Sequence, residues 1–156
     1  MKTRNIALTV VLCLFALSVL YAADNPNIGT WKLNEAKSTI PAGAGKNTTV
    51  IYTAAADGMM TVTTDGVDGT GKPTHGVWTG KFDGKPYPVT GMGAGMTRSM
   101  RAKGERELEL ENFTDGKEMS KGKVEIAKDG KSRTLEVDGK GADGKSYKAK
   151  YVYDKQ

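Results

Sequence analysis

The chain is poor in the residues that most enzymes and metal sites use. Its 156 residues include one cysteine, Cys13, and one histidine, His75. One of each is too few for a disulfide or for a cysteine–histidine zinc site. No Gly-x-Ser-x-Gly motif accompanies His75, so nothing supports a Ser–His–Asp triad. We therefore expect no catalytic residue, no metal site, no cofactor and no enzymatic activity.

The chain also lacks a strong excess of one charge and any long helical pattern. Its formal net charge is +5, with lysines and acids interspersed along the sequence. Such spacing is typical of a solvated surface, and we expect no nucleic-acid partner. Beyond the first two dozen residues, glycine or proline interrupts most windows, and no apolar stripe of helical period has a useful length. The pattern therefore argues against a helical fold.

The beginning of the chain has the pattern of a secretory signal. Lys2 and Arg4 precede an apolar run over 6–20, and small residues follow before the chain becomes polar. The run is shorter than the ~20 residues that a membrane-spanning helix needs. We predict a signal peptide over 1–23, a single domain over 24–156, a periplasmic or secreted location, and no stable membrane insertion after cleavage. An uncleaved membrane anchor is the alternative.

Eight Asp-Gly pairs punctuate the rest of the chain. Asp-Gly suits the positive φ angles of tight hairpin turns. The pairs begin at Asp57, Asp65, Asp68, Asp83, Asp115, Asp129, Asp138 and Asp143. Between them, polar and apolar residues alternate: Leu108 and Leu110, for example, are interleaved with glutamates. Strict alternation is typical of half-buried antiparallel strands.

The alternation and the turn signals together predict nine or ten strands. They lie near 28–34, 47–56, 59–65, 73–82, 85–90, 96–103, 105–113, 117–128, 131–138 and 146–154. Pro86 and Pro88 cannot donate ladder hydrogen bonds, so the fifth strand should be short or irregular. Consecutive hairpins favour a meander, and closing it removes the exposed edges. We predict an all-β fold, an antiparallel up-and-down meander closed into an 8–10-stranded barrel.

A Gly-x-Trp motif opens the first predicted strand. It lies in Gly-Thr-Trp-Lys-Leu-Asn, with Gly29 and Trp31 as its fixed residues. With Asp-Gly-Lys-Pro-Tyr-Pro-Val over 83–89 and a tyrosine-rich last strand, it resembles a family of secreted bacterial lipocalin-like proteins, which are calycin-type β-barrels. This resemblance covers about 130 residues. It implies a lipocalin-like barrel in which Trp31 is a structural plug at the closed end.

Apolar side chains on one face of the predicted strands are candidates to line the barrel interior. Such an interior is either filled by side chains or holds one small ligand. The candidate ligand-binding residues are Trp78, Phe82, Tyr87, Met100, Leu108, Leu110 and Tyr151. Among them, Met100 would form an adaptable wall and Tyr151 would offer a hydroxyl as polar anchor.

Two functions fit these expectations. The first is an exported, non-catalytic, monomeric barrel that binds a small apolar or amphipathic molecule, an inference that rests on the resemblance. The alternative is a packed structural or protein-interaction barrel of the cell envelope, with the glycine-rich loop over 91–95 and the Pro86-x-Pro88 segment as contact candidates. The volume of the interior discriminates between them, because ligand pockets measure ~300–1,000 Å³.

Overall fold

The computed structural model describes residues 25–141 and 144–156, and the predicted signal peptide lies outside them. The described residues form ten strands, all antiparallel. They are β1 (Gly29–Leu33), β2 (Lys46–Ala54), β3 (Met60–Val67), β4 (Pro73–Gly80), β5 (Asp83–Thr90), β6 (Met96–Ala102), β7 (Glu107–Thr114), β8 (Lys117–Ile126), β9 (Ser132–Lys140) and β10 (Ser146–Lys155). Each strand pairs with its neighbours in sequence, and β10 pairs with β1 to close the barrel. The prediction of an all-β, up-and-down barrel is confirmed.

The period-two alternation of the sequence becomes the two faces of the barrel wall. In β7, Leu108 and Leu110 are buried, while Glu109 and Glu111 point outward and are exposed. The same rule buries alternate residues of the other strands, because a strand places successive side chains on opposite faces. Helical structure in the described residues is limited to single turns, and none of these turns is long and apolar enough to cross a membrane.

The outer face of β7 to β10 carries rows of alternating charge. One row runs across the strands from Glu109 to Lys123, Glu136 and Lys150, each residue being the register partner of the next. Opposite charges that face each other across neighbouring strands stabilise a sheet modestly. The interspersed charges of the sequence are therefore a solvated outer surface.

The Asp-Gly pairs serve two different purposes. At the β7–β8 turn, Asp115 and Gly116 have φ angles of 50° and 75°, as a tight hairpin requires. The pairs at 65–66 and 138–139 lie inside β3 and β9, so the expectation of a turn is wrong there. The reason at Gly66 is close backbone approach: a Cβ on this residue would lie 2.1 Å from the Lys46 carbonyl oxygen. That approach occurs beside a register shift between β2 and β3.

The two prolines make β5 irregular, as predicted, but they do not shorten it. The strand has eight residues. It pairs with β4 at only two positions, and its register with β6 shifts between Asp83 and Pro86. A proline lacks the N–H that a ladder needs, so β5 keeps its extended course with fewer hydrogen bonds than its neighbours.

One end of the barrel is closed around Trp31. This side chain has 0% exposure, and its Nε1 donates a hydrogen bond of 2.8 Å to the Asn27 carbonyl oxygen. From the last strand, the Lys155 ammonium lies 5.1 Å from the centroid of the indole and donates to the Pro26 carbonyl oxygen at 3.2 Å. The segment before β1 and the end of β10 are thereby joined over the same ring.

Candidate functional site

The opposite end of the barrel leads into an interior cavity of about 330 Å³. This volume is at the lower end of the range for small-molecule pockets. Its wall is built from residues of β2, β3, β4 and β6 to β10. The apolar part of the lining comprises Val50, Val62, Val67, Met92, Met100, Leu110, Val124, Leu135 and Val137. The polar part comprises Lys46, Asn47, Tyr52, Thr64, Asp68, Thr74, Arg98, Asn112, Ser120, Arg133, Lys140, Tyr147, Tyr151 and Tyr153.

A guanidinium forms the base of this cavity. Arg133 is 3% exposed, and its Cζ lies 4.9 Å from the ring centroids of Trp31, Tyr52 and Tyr153. A cation over an aromatic face is attracted by the ring quadrupole, more strongly where water is excluded. Arg133 therefore separates the cavity from the closed end of the barrel.

A second arginine belongs to a polar chain on the cavity wall. The Nε of Arg98 donates to the Asn112 side-chain oxygen at 2.7 Å, and the Asn112 amide nitrogen donates to the Ser120 hydroxyl at 2.9 Å. These residues come from β6, β7 and β8, so register alone brings them side by side. Burial lowers the pKa of Arg98, an effect that the neighbouring Tyr52 and Tyr153 oppose. A guanidinium nevertheless remains charged in proteins.

Tyrosines of β10 provide the remaining polar groups. Burial raises the pKa of Tyr153 to about 12 and also raises that of Tyr151, so both hydroxyls are protonated at neutral pH. The Tyr151 hydroxyl donates to the Gly45 carbonyl oxygen at 2.8 Å and ties the wall to the loop at the cavity mouth. Its one proton is therefore already engaged.

Two loops meet at the mouth of the cavity. A Cβ on Gly69 would lie only 2.0 Å from the Gly43 carbonyl oxygen, so the β1–β2 loop and the β3–β4 turn are in direct backbone contact. Both glycines line the cavity. Their contact narrows the opening through which a ligand would pass.

The structure places three of the seven predicted ligand-binding residues in the cavity lining: Met100, Leu110 and Tyr151. Leu108 is buried in the core but does not line the cavity. The three aromatic candidates Trp78, Phe82 and Tyr87 form a separate cluster. The Trp78 ring centroid lies 6.2 Å from that of Phe82 and 5.9 Å from that of Tyr87. The seven residues are thus not brought into one site.

The two arginines were not among the predicted site residues, although the sequence contains a signal for both. Arg133 lies two and four residues before Leu135 and Val137 on β9, and Arg98 lies two residues before Met100 on β6. In a strand, residues that are two apart lie on the same face. A charged residue on an apolar face was therefore the clue to a polar base inside the barrel.

The groups in the cavity are suited to binding. They are guanidinium, amide, hydroxyl and phenol groups, all of which donate hydrogen bonds, and the guanidinium groups also carry positive charge. His75 lies outside the cavity lining, exposed, with its Nδ1 2.7 Å from an Asp65 carboxylate oxygen. Across 25–141 and 144–156, no three His, Cys, Asp or Glu side chains gather as a metal site would require.

The fold and cavity define an up-and-down, ten-stranded antiparallel barrel with an interior open at one end. No family model matches the chain. No curated protein matches it either. Among solved structures, the chain is similar to a mutant of the fluorescent protein UnaG, with 20% identity over 82% of this chain and 94% of that chain, and a TM-score of 0.51. It is also similar to the barrel EF1p2_mFAP2b bound to DFHBI, with 13% identity over 86% and 97% of the two chains, and a TM-score of 0.49. At such identities the likeness concerns the fold alone.

Proposed function

We propose that this protein is an exported, non-catalytic, monomeric barrel of the secreted bacterial lipocalin-like kind, which binds one small amphipathic molecule inside the barrel. The observation that carries the proposal is the cavity of about 330 Å³, with an apolar wall, a polar base and a mouth at one end. Apolar walls supply the driving force for binding, and a few polar groups orient the ligand. Export rests on the signal pattern over 1–23.

The cavity favours this function over a packed structural or protein-interaction barrel. A packed barrel would fill its interior with side chains to the density of a protein core. The interior here keeps a space of ligand size between Val62, Met100 and Leu110. Bound ligand would lie against these side chains and displace the water that they contact.

We expect the folded protein to bind the neutral dye N-phenylnaphthylamine with one site per chain. The apolar rings would transfer from water into the cavity, and dye emission should rise to saturation. Val137→Phe should weaken this binding about tenfold or more, because the larger side chain would occupy part of the space. Fluorescence titration measures both affinities.

The matched control is Glu136→Phe, the same substitution one residue earlier on the outer face of β9. This variant should bind the dye like the parent. A parent protein that shows no saturable binding would favour the packed barrel. Equal loss in both variants would show that the dye binds outside the cavity.

We expect the exported protein to begin at Ala23 or Asp24, because the predicted apolar segment ends just before them. Expression in a bacterial host followed by intact-mass measurement of the extracellular and periplasmic fractions determines the first residue. A chain that retains 1–22 and stays with the membrane fraction would support the uncleaved anchor instead.

A further inference from the structure

The guanidinium at the base of the cavity is incompletely hydrogen-bonded by the protein. Arg133 is 3% exposed, and its Nε and Nη1 have no hydrogen-bond partner among the described residues. Its near neighbours are the faces of aromatic rings, which attract the charge but accept no conventional in-plane hydrogen bond. A buried charged donor without an acceptor is costly. Such a residue is expected to have an acceptor when the protein is functioning.

The second guanidinium lies near the same two tyrosines. Tyr52 and Tyr153 flank Arg133 and also interact electrostatically with Arg98. One side of Arg98 is fixed by its Nε bond to Asn112. Its remaining N–H groups belong to a planar fork whose direction is set by that bond. Two positive groups therefore line one small cavity and lie near the same pair of tyrosines.

Within 25–141 and 144–156, no carboxylate lies inside the cavity to balance these two positive charges. Of the described residues that line it, the only acidic one is Asp68, which belongs to the turn at the mouth. The Asp68 carboxylate accepts bonds from the Thr70 hydroxyl and from the backbone N–H groups of Thr70 and Lys72. Two like charges in a region of low dielectric repel each other, and an anion bound between them offsets that repulsion by attracting both.

We infer that the ligand is an amphipathic carboxylate whose anionic head lies at the base of the cavity and is bound by Arg133 and Arg98. This inference rests on the proposed function and names the chemical class of its ligand. A guanidinium matches the two oxygens of a carboxylate with parallel N–H donors, and such charge-assisted bonds are the strong ones. The apolar tail extends past Met100 and Leu110 toward the mouth.

The test compares two ligands that differ in the head group alone, decanoate and decanol, each measured by displacement of N-phenylnaphthylamine. The parent protein should bind decanoate about ten- to hundredfold more tightly than decanol, as expected for charge-assisted hydrogen bonds in a cavity. Arg133→Met and Arg98→Met should each remove most of this preference and leave the affinity for decanol within about threefold of the parent.

The control variant is Arg101→Met, which removes one positive charge from an exposed residue of the same strand as Arg98. This variant should keep the preference for decanoate. That result would show that the preference does not depend on the net charge of the protein. Circular dichroism checks that each variant is folded. Arg98→Met tests the head-group site independently of Arg133, should the loss of Arg133 from the ring cluster prevent folding.

The possible outcomes separate the two proposals. Dye binding with equal affinities for decanoate and decanol would overturn the carboxylate inference and leave the proposed function standing. A preference for decanoate that survives in both cavity variants would also overturn it. No binding of the dye or of either ligand to the parent would overturn the proposed function, and the inference with it.

Discussion

Trp31→Ala should lower the free energy of unfolding by about 3–5 kcal/mol, the usual cost of truncating a buried large aromatic side chain. Trp31 has 0% exposure at the closed end, where Lys155 and Arg133 lie against its ring. The substitution would leave a cavity that the surrounding barrel can fill only in part. It would also remove one of the three rings next to Arg133. Urea unfolding followed by circular dichroism measures the loss.

Lys32→Ala is the matched control for this prediction. Lys32 follows Trp31 in β1 but is exposed, and its ammonium donates a hydrogen bond to the Thr49 hydroxyl. Its replacement should change stability by no more than about 0.5 kcal/mol. Should Trp31→Ala unfold at nearly the same urea concentration as Lys32→Ala, the indole would have no structural role at the closed end. A melting temperature about 10 °C or more below the parent would agree with the larger loss.

Gly80→Ala should destabilise the barrel by about 1–3 kcal/mol through overpacking. A Cβ on Gly80 would lie 2.6 Å from ring atoms of both Trp78 and Tyr87. These rings are not free to move, because the Trp78 Nε1 donates to the Arg98 carbonyl oxygen and the Tyr87 hydroxyl donates to Asp83. The added methyl group would therefore separate the aromatic cluster or displace β4. Thermal unfolding of the variant measures the effect.

Gly104→Ala provides the comparison. An ideal Cβ at this position meets no heavy atom within 4 Å, and its φ angle lies outside the left-handed region. Alanine there should be neutral or slightly stabilising, since it reduces the freedom of the unfolded chain. Similar stability of the two alanine variants would mean that the space beside Gly80 is larger than the structure shows.

The strands could be predicted closely, because their signals are local. The predicted limits 96–103 and 117–128, for example, compare with the observed Met96–Ala102 and Lys117–Ile126. Alternation reports which face of a strand is buried, and Asp-Gly reports many of the turns. The Asp-Gly pairs at 65–66 and 138–139 were predicted to be turns but lie inside strands. At these positions glycine leaves room for a neighbouring group, the Lys46 backbone beside Gly66 and the Tyr147 ring beside Gly139. The dipeptide is the same in both roles, so the sequence does not distinguish them.

The site was predictable only in part. Met100 and Leu110 were found because apolar residues on an inward face were the criterion, and that criterion also selected Trp78, Phe82 and Tyr87. Whether an inward residue packs against its neighbours or lines free space depends on what the facing strands present. Beside β4 and β5, the space is filled by Trp78, whose ring stacks on that of Phe82 and meets the ring of Tyr87 edge to face.

The sequence by itself determined that this chain is an all-β meander and which residues of each strand face inward. These properties depend on neighbours two residues apart and on turns of a few residues. The tertiary structure alone decided that the interior keeps a cavity and that its base is positively charged. Arg98 and Arg133 are far apart in the chain, and only closure of the barrel brings both toward Tyr52 and Tyr153. A positive charge inside a barrel is available to bind an anion when the surrounding strands place no acidic side chain beside it. Which side chains surround the charge depends on the closed wall and not on any one strand.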